Sequence, residues 1–178
     1  MTSSRGPFDP NKLIGKWYGV EHNIHSLEDK CSNGIDEFSI VGNTLLINKI
    51  CTDKRGMSSV SSGSTTISSI RGNTMKFLFR AERGLDTTIT YVVYDTDYTT
   101  YMIVGNGDRK TFRIMSRKSR VELCWLSGIE IEASKMGFDV SHIIRERGMI
   151  EPCGSRVVKT TRDTQDTQDT REVATKRK

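Results

Sequence analysis

Four cysteines and three histidines are the residues of this chain best equipped for chemistry. Cys31, Cys51, Cys124 and Cys153 form no Cys-x-x-Cys pair. His22, His25 and His142 do not stand at zinc-finger spacing from them, so a structural metal site is not expected. The even cysteine number permits up to two disulfides and suits an oxidising compartment. Spacing alone does not pair cysteines, and four unpaired thiols remain the alternative. Charge is the second resource, with a net charge of +5 and a pI near 9.1. A nucleic-acid surface needs Lys and Arg clustered on one face with aromatics for stacking. Here the basic residues are scattered, and the densest run is Lys176-Arg177-Lys178. The balance reads as a basic surface with a basic tail, and no nucleic-acid partner is expected.

The chain has 178 residues, enough for one domain plus a tail. Hydrophobic residues make up 35%, which is low for a filled core. A polar tail dilutes the average, and a barrel with an open interior lowers it further. No run approaches the roughly 18 apolar residues of a membrane span. Met1 to Pro7 lacks the apolar stretch of a secretory signal. The chain is therefore expected to be either cytosolic or a mature secreted chain with an added start Met.

Short β-type runs separated by turn signals occupy most of the chain. They span residues 16–23, 35–41, 44–52, 57–70, 75–80, 87–94, 99–104 and 111–116. Gly42-Asn43, Gly72-Asn73, Asp95-Thr96-Asp97 and Gly105-Asn106-Gly107-Asp108 are the turns. Eight evenly spaced strands predict an all-β meander, which removes its edges by closing into an antiparallel up-and-down β-barrel. After Arg117 the pattern changes. Ile129, Ala133 and Met136 predict one C-terminal α-helix near 127–136, ended by Gly137 and packed outside the barrel. Residues 139–144 read as a short strand or turn. Residues 1–12 read as a lead-in and 13–158 as the barrel domain. Residues 159–178, with the near-repeat from Asp163 to Arg171, read as a disordered Thr/Asp/Gln-rich tail.

Three motifs are more specific. Gly15-x-Trp17 opens the first strand, Thr96-Asp97-Tyr98 joins the sixth to the seventh, and Arg117 follows the eighth. In this order and spacing they resemble the lipocalin family, over about Phe8 to Cys153. Gly137-Phe138-Asp139-Val140-Ser141 also resembles the segment after the helix in bacterial lipocalins and apolipoprotein D-like proteins. The resemblance implies that Trp17 and Arg117 meet at the closed barrel end, with the guanidinium stacked on the ring. That makes them structural residues, not ligand residues.

With Trp17 inward, strand parity supplies an expected lining. Gly19 and Glu21 follow on the first strand, with Asp36, Phe38 and Ile40 on the second. Leu46, Asn48 and Ile50 follow on the third, Tyr91 and Val93 on the sixth, Met102 and Val104 on the seventh, and Arg113 and Met115 on the eighth. A one-residue slip inverts any of these sets. The lining would be amphipathic, with Phe38, Leu46, Val93, Met102 and Met115 as apolar wall and Glu21, Asp36 and Arg113 as charge. A buried guanidinium wants an acid or an anionic headgroup. The expected ligand is a fatty acid, a lysophospholipid or a tetrapyrrole such as a bilin, with no cofactor required.

The resemblance to apolipoprotein D-like proteins implies a Cys31–Cys153 disulfide and leaves Cys51 and Cys124 as free thiols. The family's other usual disulfide begins with a cysteine before the first strand, which this chain lacks. Carriage of a small hydrophobic ligand by a secreted monomer or weak homodimer is the leading reading. An enzyme would use Cys51 as nucleophile, but that parity points it outward and no histidine is placed to activate it. A third reading is a protein-binding barrel acting through the loop from Asn23 to Gly34. An interior filled by its own side chains would favour that reading.

Overall fold

The computed structural model describes residues 7–23, 33–80, 85–146 and 148–154. Eight strands run antiparallel, each bonded to the next: β1 (Gly15–Asn23), β2 (Asn33–Val41), β3 (Thr44–Thr52), β4 (Ser58–Thr66), β5 (Thr74–Phe79), β6 (Thr87–Thr96), β7 (Tyr101–Gly105) and β8 (Phe112–Ser116). Pairing of Tyr18 with Ser116 and Gly19 with Met115 joins β8 to β1 and closes the barrel. The expected eight-stranded up-and-down barrel is therefore the fold. Gly42 and Gly72 turn two hairpins in the left-handed region, at φ 58° and 57°, where a side chain costs energy. The predicted strand at 57–70 is shorter, because Ile67–Ser69 forms a turn of 3-10 helix after β4.

One end of the barrel is sealed by a compact set of contacts. A 3-10 turn at Pro10–Leu13 lays Leu13 across the opening, and the Trp17 indole N–H donates to its carbonyl at 2.9 Å. The Arg117 guanidinium carbon lies 3.8 Å from the Trp17 ring centroid. Arg117 also donates to the carbonyls of Lys12, Ile14, Lys16 and Tyr98 at 3.0–3.2 Å. Asp97 accepts the backbone N–H groups of Thr99, Thr100 and Tyr101, which holds the β6–β7 turn. Tyr98, at φ 62°, swings its hydroxyl out to accept Asp9 N–H at 2.9 Å.

The helix α1 (Leu123–Lys135) covers the outer wall, with Leu126, Ile129 and Ala133 buried against Val20, Tyr101, Ile103, Phe112 and Ile114. It starts four residues before the predicted 127, because a buried position at Leu126 extends its apolar stripe by one turn. Gly137, at φ 87°, ends it as expected. A short parallel pair, β9 (Val121–Glu122) with β11 (Ile150–Glu151), precedes and follows it. The segment read as a strand or turn holds β10 (Ile143–Arg145), which pairs with Glu21–Asn23 of β1.

The cysteine expectations are corrected. Cys124 bonds Cys153, with Cα atoms 5.5 Å apart, so Cys153 is not the partner of Cys31. Cys124 stands in the first turn of the helix, beside the segment that β11 carries back to β9, a proximity no sequence spacing reveals. Cys51 is disulfide-bonded as well, not a free thiol. Cys31 lies outside the described residues, as does the tail at 159–178. A cross-link over a separation of 29 residues stabilises by about 3.6 kcal/mol in the chain-entropy view. The Cys124→Ser/Cys153→Ser double variant is expected to lose about that much in urea unfolding. Non-reducing peptide mapping of the native chain should yield linked Cys124 and Cys153 peptides.

Candidate ligand site in the barrel interior

Hairpin register decides which side chains face inward. The two-residue Gly42-Asn43 turn pairs Val41 with Thr44, hence Phe38 with Ile47 and Asp36 with Lys49. Leu45, Ile47, Lys49 and Cys51 therefore share the inner face with Phe38 and Asp36. Leu46, Asn48 and Ile50 face outward, against the expected lining, because the expected set was one residue out of step. The two-residue turn was the signal that could have corrected it. A bulge on β1 makes the second change. Gly19 pairs with Met115, but Glu21 pairs with Ile114, so one extra residue flips the parity. Val20 and Glu21 both lie outside under α1, and His22, paired with Arg113, turns inward. Asp36, Phe38, Tyr91, Val93, Met102, Val104, Arg113 and Met115 lie on the inner face.

The interior has two tiers. Toward the closed end, Trp17, Leu45, Ile47, Met75, Phe77, Met102 and Met115 have no exposed surface, and Phe38 has 1%. The rings of Phe38, Phe77 and Tyr91 meet edge to face or tilted, 6.1–6.2 Å between centroids. This tier is filled by the chain's own side chains. Above it sits a polar tier. The Tyr91 hydroxyl donates to Asp36 Oδ2 and lies 3.3 Å from Met115 Sδ. Lys49 Nζ is 3.5 Å from Asp36 Oδ1 and 5.4 Å from the centre of the Tyr91 ring. His22 Nδ1 is 3.4 Å from Glu146 Oε1, and both residues are buried.

Arg113 crosses this tier along the wall. A Cβ at Gly19 or at Gly34 would lie 2.0 Å from Arg113 Nη2. Both positions must therefore lack side chains for the guanidinium to lie there. Sequence reasoning placed Arg113 inside but missed the glycine cradle, together with His22, Lys49 and Glu146. Glu146 arrives only because β10 docks on β1, donating its own N–H to Val20 O at 2.9 Å. Among the described residues no group of three or more His, Cys, Asp or Glu converges on a metal position.

The displaced Glu21 sits between barrel and helix, with no exposed surface. Arg145 Nε stands 3.9 Å from its carboxylate, and Arg145 Nη2 binds Glu130 at 2.7 Å. Burial, reinforced by the neighbouring Glu130 carboxylate and only partly opposed by Arg145, pushes the Glu21 carboxyl up to about 8.

The sequence matches the Lipocalin-like domain family over residues 8–147. The chain belongs to the lipocalin family. Solved structures agree at the level of fold. Insecticyanin from the tobacco hornworm Manduca sexta superposes with a TM-score of 0.64 at 15% identity, covering 83% of this chain and 88% of that one. The allergen Per a 4 from cockroaches gives 0.57 at 19% identity, covering 77% and 86%. Apocrustacyanin C2 gives 0.57 at 16%, covering 77% and 78%. No curated protein sequence matches. In this lipocalin the three motifs meet at the closed end, through Gly15, Trp17, Thr96, Asp97, Tyr98 and Arg117, away from the polar tier. Gly15 holds φ 101°, and a Cβ there would lie 3.1 Å from Arg117 Nη1.

Glu21 makes a pH-dependent contribution of definite sign. Below the ordinary carboxyl value of 4.5, folded and unfolded chains both hold the proton. As pH rises toward about 8, the unfolded chain ionises first, so folding loses free energy through this window. Glu21→Gln has no such loss. Its melting temperature should match the parent near pH 4 and exceed it near pH 8 by several degrees, each 1 kcal/mol being worth roughly 2–4 °C in a domain of this size. Differential scanning calorimetry across that range reads the difference. A constant offset would refute the assignment.

Proposed function

We propose that this lipocalin binds a small amphipathic anion, with its headgroup in the polar tier and its apolar body toward the closed end. The observation that carries the reading is the Arg113 guanidinium inside the barrel, in a recess made by Gly19 and Gly34. Lys49 adds a second cation on the same inner face, 3.5 Å from Asp36 Oδ1. A carboxylate or phosphate that reaches such cations makes charge-assisted hydrogen bonds, which gain strength in a low-dielectric setting. Fatty acids, lysophospholipids and bilins share this chemistry, and no cofactor is required.

The filled apolar tier sets how such a ligand enters. Met75, Met102 and Met115 are unbranched and adaptable, and their rotation is the cheapest way to admit a chain. The same filling favours a second reading, a barrel that binds a protein partner through its open-end loops. A catalytic role loses its nucleophile, since Cys51 is held in a disulfide. Disulfide bonding supports a secreted protein. No helix among the described residues is long and apolar enough to cross a membrane.

Titration with a fluorescent fatty acid tests the proposal. Saturable one-site binding is expected, weakened at least tenfold by Arg113→Ala, with circular dichroism confirming that the variant folds. Failure of fatty acids, lysolipids and bilins alike to bind would leave the protein-partner reading. Binding that ignores Arg113→Ala would sink the headgroup assignment.

A further inference from the structure

Glu21 is a buried carboxyl in the seam between barrel and helix, outside the candidate ligand site. The bulge on β1 turns it outward, where it pairs with Ile114 of β8 and Arg145 of β10. Among the described residues no donor reaches either of its oxygens at hydrogen-bonding distance. Arg145 Nε, at 3.9 Å, is too far for a hydrogen bond, and Arg145 Nη2 is turned to Glu130 of α1 at 2.7 Å. β8 presents Phe112, Ile114 and Ser116 on this face and no charge. Further along α1, Glu132 pairs with Lys135, and Glu146 faces His22 on the other side of β1. The charged groups that face Glu21 among the described residues are therefore Glu130 from the helix and Arg145 from β10.

With the proton on Glu21, this trio holds one negative and one positive charge. Without it, two carboxylates meet one guanidinium around a position shut from solvent. Burial costs the ionised carboxyl more than one shared cation returns, so the neutral acid is the form that fits. The segment that brings both partners is lightly held. Of residues 130–146 only Ala133, Phe138 and Glu146 are buried. β10 has three residues and pairs with β1 alone. Few buried apolar contacts mark a segment that opens on its own, ahead of the barrel. The start of α1 is pinned instead by Cys124–Cys153.

We propose that residues 130–146 are a proton-operated cover on the barrel wall, closed while Glu21 is neutral and opening locally when Glu21 ionises, with the Cys124–Cys153 bond holding its base. The sign follows from the two states. In the open state Glu21 meets water and titrates near its ordinary 4.5, whereas in the closed state it titrates at about 8. Between those values each pH unit raises the opening constant by up to about tenfold, and above them the constant levels off. The cover is thus tight in acid and loosens toward neutral pH. When β10 lifts, Glu146 leaves the imidazole of His22, which pairs with Arg113, so the charge of the polar tier changes with the cover. The cover works in this way whether or not that tier binds an anion.

Hydrogen–deuterium exchange of the full chain at about pH 5.5 and 7.5, with intrinsic chemical rates divided out, tests this. Peptides from 130–146 should be less protected than those from β2 and β3 at both values. Their opening constant should rise at least about tenfold from the lower pH to the higher, given one proton released per opening. Glu21→Gln keeps the shape but cannot ionise, and its rise should fall below about twofold. Glu130→Gln removes the neighbouring carboxylate at a partly buried position and should cut the rise at least about threefold, which keeps the test decisive if Glu21→Gln does not fold. Circular dichroism checks folding of both variants. Residues 130–146 exchanging only together with β2 and β3 would overturn the proposal. So would a rise that persists in Glu21→Gln or stays undiminished in Glu130→Gln.

Discussion

The barrel depends on one guanidinium. Arg117 stacks on Trp17 and donates to four carbonyls contributed by the lead-in turn, the start of β1 and the β6–β7 turn. Those carbonyls belong to segments more than eighty residues apart in sequence. The side chain thus seals the cup and ties its first strand to its last at once. Everything inward is read from this end, because Trp17 sets the phase of β1 and Arg117 sets the phase of β8.

From that end the interior changes character over one tier of side chains. Near the clamp the aromatic and methionine side chains leave almost no exposed surface. Toward the mouth, Asp36, Lys49, Tyr91, His22 and Arg113 share the space. Buried charges of this density are costly unless paired or bound. The chain pairs several of them, Lys49 with Asp36 and His22 with Glu146, and gives Arg113 a path cleared of two Cβ atoms. A glycine opposite a buried arginine on two neighbouring strands marks a space shaped around that side chain.

The bulge at Val20 governs what lies on either side of β1. One inserted residue sends Val20 and Glu21 to the helix and returns His22 to the barrel. The helix side gains a buried carboxyl held protonated beside Glu130 and Arg145. The inner side gains an imidazole facing Glu146. β10 then crosses this place with Arg145 outward and Glu146 inward, so a three-residue strand serves both environments.

Much of this was legible in the residues themselves. Strand and turn alternation set the eight-strand order, and the three motifs located the closed end, because both rest on local chemistry and fixed spacing. Phe38, Tyr91, Met102, Val104, Arg113 and Met115 follow from strand parity counted from those motifs. The β3 set was readable too, from the two-residue turn at Gly42-Asn43, but parity carried over by analogy put Leu46 and Asn48 in place of Ile47 and Lys49. The rest was decided only by tertiary structure. A bulge is invisible in an alternating strand until its neighbour shows where the count breaks, so Glu21 and His22 exchanged sides. The pairing of Cys124 with Cys153 depends on where a helix and a terminal strand come to rest, and cysteine positions alone do not encode distance in space. The sequence by itself determined the barrel and the ring that seals it. Contacts between distant strands decided which charges the barrel holds inside.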